Sequence, residues 1–136
     1  MTRDELTAMV RGCPFHRFLD LQLDDFDEEQ GVVTLSLVAR EEFSRSEDQV
    51  ELHGGVIATL IDIAGDYAVA LKTGCGVPTI NMSVDYLRLA RGAKAIATAR
   101  IAKCGRSIAV VTIEVCDETG AKVAIGRGTY SSAVRA

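Results

Sequence analysis

The sequence predicts an α+β fold in which a curved antiparallel sheet wraps around one long central helix. Three observations lead there. Residues 53–72 form an Ala-rich, apolar run without strand alternation. Two alternating segments precede this run and four strand-like segments follow it. A helix that is apolar over most of its circumference needs cover on nearly all sides, and a wrapped sheet supplies it.

The elements follow in chain order. Thr2 and Glu5 match a capping box, so a short N-terminal helix is expected over residues 3–11, within an N-terminal segment 1–12. Gly12-Cys13-Pro14 stops it, and Phe15, Phe18 and Leu19 are expected to fold back onto the core. Leu19, Leu21 and Leu23 alternate with polar residues, as do Val33, Leu35 and Leu37, and the polar residues 27–31 lie between. That is a hairpin pattern. Residues 41–51 are polar and read as a loop. The central helix of about five turns then covers 53–72 and ends before Thr73-Gly74. Ile80, Met82, Val84 and Tyr86 alternate over 79–89. Three further strands are expected over 95–103, 107–116 and 121–132, linked by Gly105-Arg106 and Glu118-Thr119-Gly120. Short turns make these neighbours an antiparallel meander.

Composition bounds the function. The 136 residues suit one domain spanning 1–136. Net charge is -4, which disfavours binding to a nucleic-acid backbone. Trp is absent and aromatics are 5%, so base stacking is disfavoured as well. The N-terminus carries no basic-then-apolar leader. The most apolar stretch, 56–71, contains Asp62 and Asp66 and is expected to be too short to span a bilayer. Cys13, Cys75, Cys104 and Cys116 form no C-x-x-C pair, so reduced thiols in a cytoplasmic compartment are expected, with no membrane association. Two His and scattered Cys fit no metal spacing. His16, between Phe15 and Arg17, reads as structural. Cys75 in a Gly turn is a poor nucleophile candidate.

On a helical wheel, Gly55, Thr59, Asp62, Asp66, Val69 and Thr73 share one narrow stripe. Carboxylates at i and i+4 on a mostly buried helix lose hydration and repel each other. A solvent-facing stripe and a stripe lining a cleft look alike on the wheel. The helix start adds information. Gly54 and Gly55 leave backbone N–H groups unobstructed at the positive end of the helix dipole, a place for a developing oxyanion. Asp62 lies about 12 Å further along the axis. It cannot reach a carbonyl held at Gly54 of its own chain, which suggests that two subunits share the site.

The run from His53 to Asp62 resembles the H-G-G-x-x-x-x-L-x-D signature of hot-dog thioesterases of the PaaI (phenylacetate-pathway) and 4-hydroxybenzoyl-CoA thioesterase type. Cys13-Pro14-Phe15, Tyr86-Leu87-Arg88, Gly105-Arg106-Ser107 and Gly128-Thr129-Tyr130 follow that family's order.

The resemblance implies a hot-dog fold and hydrolysis of an acyl-CoA to free acid and CoA, with no separate cofactor and no metal. It implies that the Gly54 N–H, helped by Gly55, polarises the thioester carbonyl. Asp62 of the partner subunit would be base or nucleophile. Thr79 would help place water, and His53 would steady the Gly turn or the departing sulfur. Arg88, Arg106 and Ser107 would meet the CoA phosphates. Asp66, one turn after Asp62, is a departure from the resemblance; it is a substrate-binding candidate by its place on the stripe, and its repulsion is expected to raise the pKa of Asp62. Homodimers, paired into homotetramers, are expected. The family's usual Asn or Gln six residues before the His is replaced by Glu47, with Gln49 nearby as a substitute. The alternatives are a non-catalytic acyl-CoA-binding or sensing protein and a hot-dog dehydratase or hydratase. The latter needs a His-centred loop that neither His16 nor His53 provides.

Overall fold

The computed structural model describes residues 1–133. Its elements are α1 (Arg3–Gly12), α2 (Pro14–Leu19), β1 (Gln22–Asp27), β2 (Val32–Val38), a 3-10 turn (Glu41–Phe43), α3 (Gly54–Thr73), β3 (Thr79–Tyr86), β4 (Lys94–Cys104), β5 (Ile108–Asp117) and β6 (Lys122–Ser131). One six-stranded antiparallel sheet, in the order β1-β2-β4-β5-β6-β3, curls around α3. This is the hot-dog architecture.

The local signals produce the elements they predict. Thr2 and Glu5 form both halves of the capping box on α1. Gly74 ends α3 in the left-handed conformation at φ 79°, and its N–H bonds to the Ala70 carbonyl. Leu60, Ile61, Ala64 and Ala68 of α3 are sealed against Val33, Leu35, Val111 and Ile113 of the sheet.

Three expectations are corrected. The last four strands are not a meander: β3 does not pair with β4 but crosses to the far edge and pairs with β6, while β4 pairs with β2. The β3–β4 link, residues 87–93, is too long for a tight hairpin, so pairing is decided by which edge is open. Secondly, α3 has 20 residues and a mean hydropathy of 1.5, so length and apolarity alone would let it cross a membrane. What marks it as a core helix is the sheet packed around it.

Thirdly, only Leu19 of the Phe15, Phe18, Leu19 group enters the core; Phe15 is 50% and Phe18 57% exposed. These residues form a helix, α2, instead of an extended return, because Pro14 occupies its first turn. Six residues of helix present only one face inward. The outer side is held by Arg40. Its guanidinium lies 4.7 Å from the Phe18 ring and 4.0 Å from the Phe43 ring, and it donates to the Phe18 carbonyl at 2.7 Å.

Candidate active site

His53 is the N-cap of α3. Its Nδ1 accepts the Gly55 N–H at 2.9 Å. The Val56 and Ile57 N–H groups both donate to the His53 carbonyl. The Gly54 N–H is therefore the helix-start amide with no protein acceptor among the described residues. The expected help from Gly55 is corrected accordingly, since its hydrogen is committed to His53. Tyr86, not singled out from sequence, donates its hydroxyl to the Gly54 carbonyl at 2.7 Å and pins this turn to the end of β3.

Two turns on, Asp62 is half-buried. The Thr79 hydroxyl donates to its Oδ1 at 2.6 Å. Thr79 reaches it because a bulge between Thr79 and Asn81 shifts the β3 register against β6. Behind Asp62, Tyr130 donates to its backbone carbonyl at 3.1 Å. Tyr130 is fully buried, and burial raises the pKa of its phenol, so it stays a neutral donor. In the sequence it appears only in the Gly128-Thr129-Tyr130 match, with no role attached, and after the Gly126-x-Gly128 spacing. A Cβ at Gly128 would overlap the Tyr130 ring, and one at Gly126 would meet Ile61.

Asp66 plays a different part. Its Oδ1 accepts the Val77 N–H at 2.6 Å, tying the loop after α3 back to the helix. Burial pushes its carboxyl up to about 6, opposed by the Val77 bond and assisted by repulsion from Asp62. Between the ordinary 3.8 and about 6, the folded chain keeps a proton that the unfolded chain has released. Stability therefore falls as pH rises through that window, by up to about 3 kcal/mol. Asp66→Asn keeps an acceptor for Val77 and does not titrate. Its melting temperature relative to the native chain should rise by several degrees between pH 4 and pH 7.5; a flat difference across that range would mean Asp66 does not titrate there.

The remaining candidates are placed as follows. Glu47 and Gln49 are exposed on the loop before α3, and neither side chain makes a hydrogen bond among the described residues. Arg88 is exposed just past β3, at the Gly54 end. Arg106 and Ser107 form the β4–β5 turn, beside the strand end where Ser131 bonds to Pro78, at the Thr79 end. Since β3 is about 23 Å long, Arg88 and Arg106 of one chain do not grip the same phosphate. His16 is a packing residue: it stands edge-on to Tyr67 at 5.6 Å, with Nδ1 3.1 Å from the Val10 carbonyl. Arg45, which carries no sequence signal of its own, lines a cleft of about 530 Å³ with His53, Gly54, Tyr86 and Arg88.

A glycine-started helix carrying a half-buried carboxylate two turns on, with a sheet wrapped around it, is the arrangement to set beside known proteins. The family model for the thioesterase superfamily matches residues 51–124, the stretch holding α3, β3 and most of the later sheet. The chain belongs to the thioesterase superfamily. A crystal structure of another member of the thioesterase superfamily superposes with a TM-score of 0.89 at 39% identity, over 97% of both chains. A putative esterase of Halobacterium salinarum is 41% identical over 90 residues, and the match spans 59% of each chain. The medium/long-chain acyl-CoA thioesterase YigI of Escherichia coli K12 is 28% identical over 136 residues, 89% of this chain and 86% of that one. Within the superfamily, the matched segment contains Gly54 and Asp62 together.

Proposed function

We infer that this chain hydrolyses an acyl-CoA thioester to the free acid and CoA. The observation that carries the reading is the pairing of an uncommitted Gly54 N–H at the start of α3 with an oriented Asp62–Thr79 pair on the same helix. The two are about 12 Å apart along the axis, so one chain does not complete the site. The unpaired edge of β3 supplies the way to complete it. A second copy pairing there antiparallel, about the strand's centre, sets Tyr86 of one chain opposite Thr79 of its mate. Gly54 rides on Tyr86 and Asp62 on Thr79, so the amide of each chain meets the carboxylate of the other. A homodimer with two shared sites follows, and pairing of dimers is compatible with it.

In that site the Gly54 N–H donates to the thioester carbonyl oxygen and stabilises it as negative charge develops. Thr79 holds Oδ1 of Asp62, leaving Oδ2 to take a proton from water or to attack the carbonyl carbon directly. A C–O bond forms to the water oxygen or to Oδ2, the C–S bond breaks, and the sulfur departs as thiolate; on the direct route water then cleaves the Asp62 anhydride, releasing the acid and restoring the carboxylate. His53 accepts at Nδ1, so its Nε2 carries the proton and faces outward as a donor for that sulfur. Arg88 sits on the Gly54 side of the cleft, where the phosphates of CoA would lie; Arg106 and Ser107 would reach them from the mate. Glu47 and Gln49 would act across the same interface. The similarity to YigI supports a CoA ester as substrate. Four free cysteines suit a reducing, cytoplasmic setting.

The test is free-thiol release from a panel of acyl-CoAs beside matching thioesters that lack the nucleotide. Turnover of the CoA esters is expected. Arg88→Ala should raise KM for the CoA esters roughly tenfold and leave the nucleotide-free thioesters within about twofold. Tight acyl-CoA binding without thiol release would make the protein a binder, not a hydrolase.

A further inference from the structure

Two clefts meet at His53, and they differ in charge. One, of about 530 Å³, runs from Gly54 past Tyr86 over apolar walls that include Leu52, Ile57 and Val123, and carries two arginines, Arg45 and Arg88. Arg45 is only loosely engaged: its Nε stands 3.9 Å from Glu51, whose buried carboxylate is held at 2.9 Å by Arg91. That leaves most of the Arg45 guanidinium turned to the cleft. The other, of about 310 Å³, runs from Gly55 between α2 and the first turns of α3. Its walls are Phe15, Phe18, Phe43, Val56 and Thr59, and its one charged lining residue is Glu42. Phe15 and Phe18 stack at 6.3 Å along its outer side and remain half-exposed, so the fold does not need them inside.

A thioester of CoA has the same division. One arm is long and anionic, the other is the acyl group, and the carbonyl joins them. The junction of the clefts lies at the amide that the catalytic reading gives to that carbonyl. Glu42 is paired with Arg40 at 3.7 Å, and Arg40 is itself stacked on the Phe18 and Phe43 rings, so among the described residues the aromatic cleft offers an anionic arm no free cation. The arginines that can meet that arm, Arg45 and Arg88, both line the first cleft.

Resting on the thioesterase reading, we propose that the aromatic cleft holds a flexible aliphatic acyl chain, with Phe15 and Phe18 as the residues that set chain-length preference, and that Arg45 joins Arg88 on the phosphate arm. The cleft is open at its outer end, which suits a chain of variable length better than one rigid ring. Each methylene buried against the two rings tightens transition-state binding by about fourfold until the cleft is full.

The experiment measures kcat/KM for butanoyl-, octanoyl- and dodecanoyl-CoA in the native chain, in the Phe15→Ala/Phe18→Ala double variant and in Val56→Trp, which fills the cleft from the helix side. Circular dichroism and light scattering monitor folding and mass. Expected is a fall of at least tenfold in the dodecanoyl-to-butanoyl ratio in both variants. An equal loss on all three esters overturns the proposal. So does an unchanged ratio accompanied by a change in oligomeric mass, which would make the aromatic cleft a subunit contact. If the native chain hydrolyses none of the three esters, the hydrolase reading itself fails, and that result is distinct from either of these.

Discussion

Asp62→Asn should lower turnover by roughly 10²–10⁴, the contribution of a positioned acid–base group. Asparagine has nearly the same shape and keeps the oxygen that accepts the Thr79 hydroxyl, so the local hydrogen bond survives. What goes is the lone negative oxygen that takes a proton from water or attacks the carbonyl. KM should change little, because the residue does its work in the transition state. Measuring kcat by free-thiol release, with the melting temperature recorded beside it, separates chemistry from folding. A variant that turns over at the native rate would place the chemistry on another residue.

Gly65→Ala should lower the melting temperature by about 10 °C, equivalent to about 3 kcal/mol. Gly65 lies on the buried side of α3, and a Cβ there would overlap the hydroxyl and ring of Tyr130. Tyr130 is 0% exposed and lies over Gly128 as well, so it has nowhere to retreat. Alanine's better helix propensity returns only about 1 kcal/mol. The pairing is testable by compensation: Tyr130→Leu in the Gly65→Ala background should recover part of the lost stability while lowering activity, since the bond to the Asp62 carbonyl is gone. If Gly65→Ala melts with the native chain, the helix does not press on Tyr130 as described.

Much of the fold was legible before any coordinates. The capping box on α1, the hairpin, the extent of α3 and the positions of six strands all come from local chemistry: cap residues, turn residues and the period of apolar positions. Residue spacing also exposed the Gly54–Asp62 relation, because on a helix sequence distance converts directly to length. The strand order was not legible. β3 alternates like a core strand, yet Ile80 and Tyr86 are each 54% exposed, since its place at the edge depends on β6 arriving much later in the chain. Nor was α2, where six residues are too few for periodicity to separate a helix from a bend.

The candidate site divides the same way. From the amino-acid order alone came the helix-start glycines, the carboxylate two turns on, the thioesterase resemblance and the expectation of a second subunit. Tertiary structure alone decided that the Gly55 N–H is bonded to His53, that Thr79 bonds to Asp62, that Asp66 braces a loop, that Tyr86 and Tyr130 bond to the Gly54 and Asp62 carbonyls, and that Arg45 lines the cleft beside Gly54. The physical reason is range. Helix geometry and capping act over a few residues and are written in the local sequence, whereas a hydroxyl meeting a carboxylate across 17 residues, or a phenol meeting a carbonyl across 68, exists only once the sheet has closed around the helix.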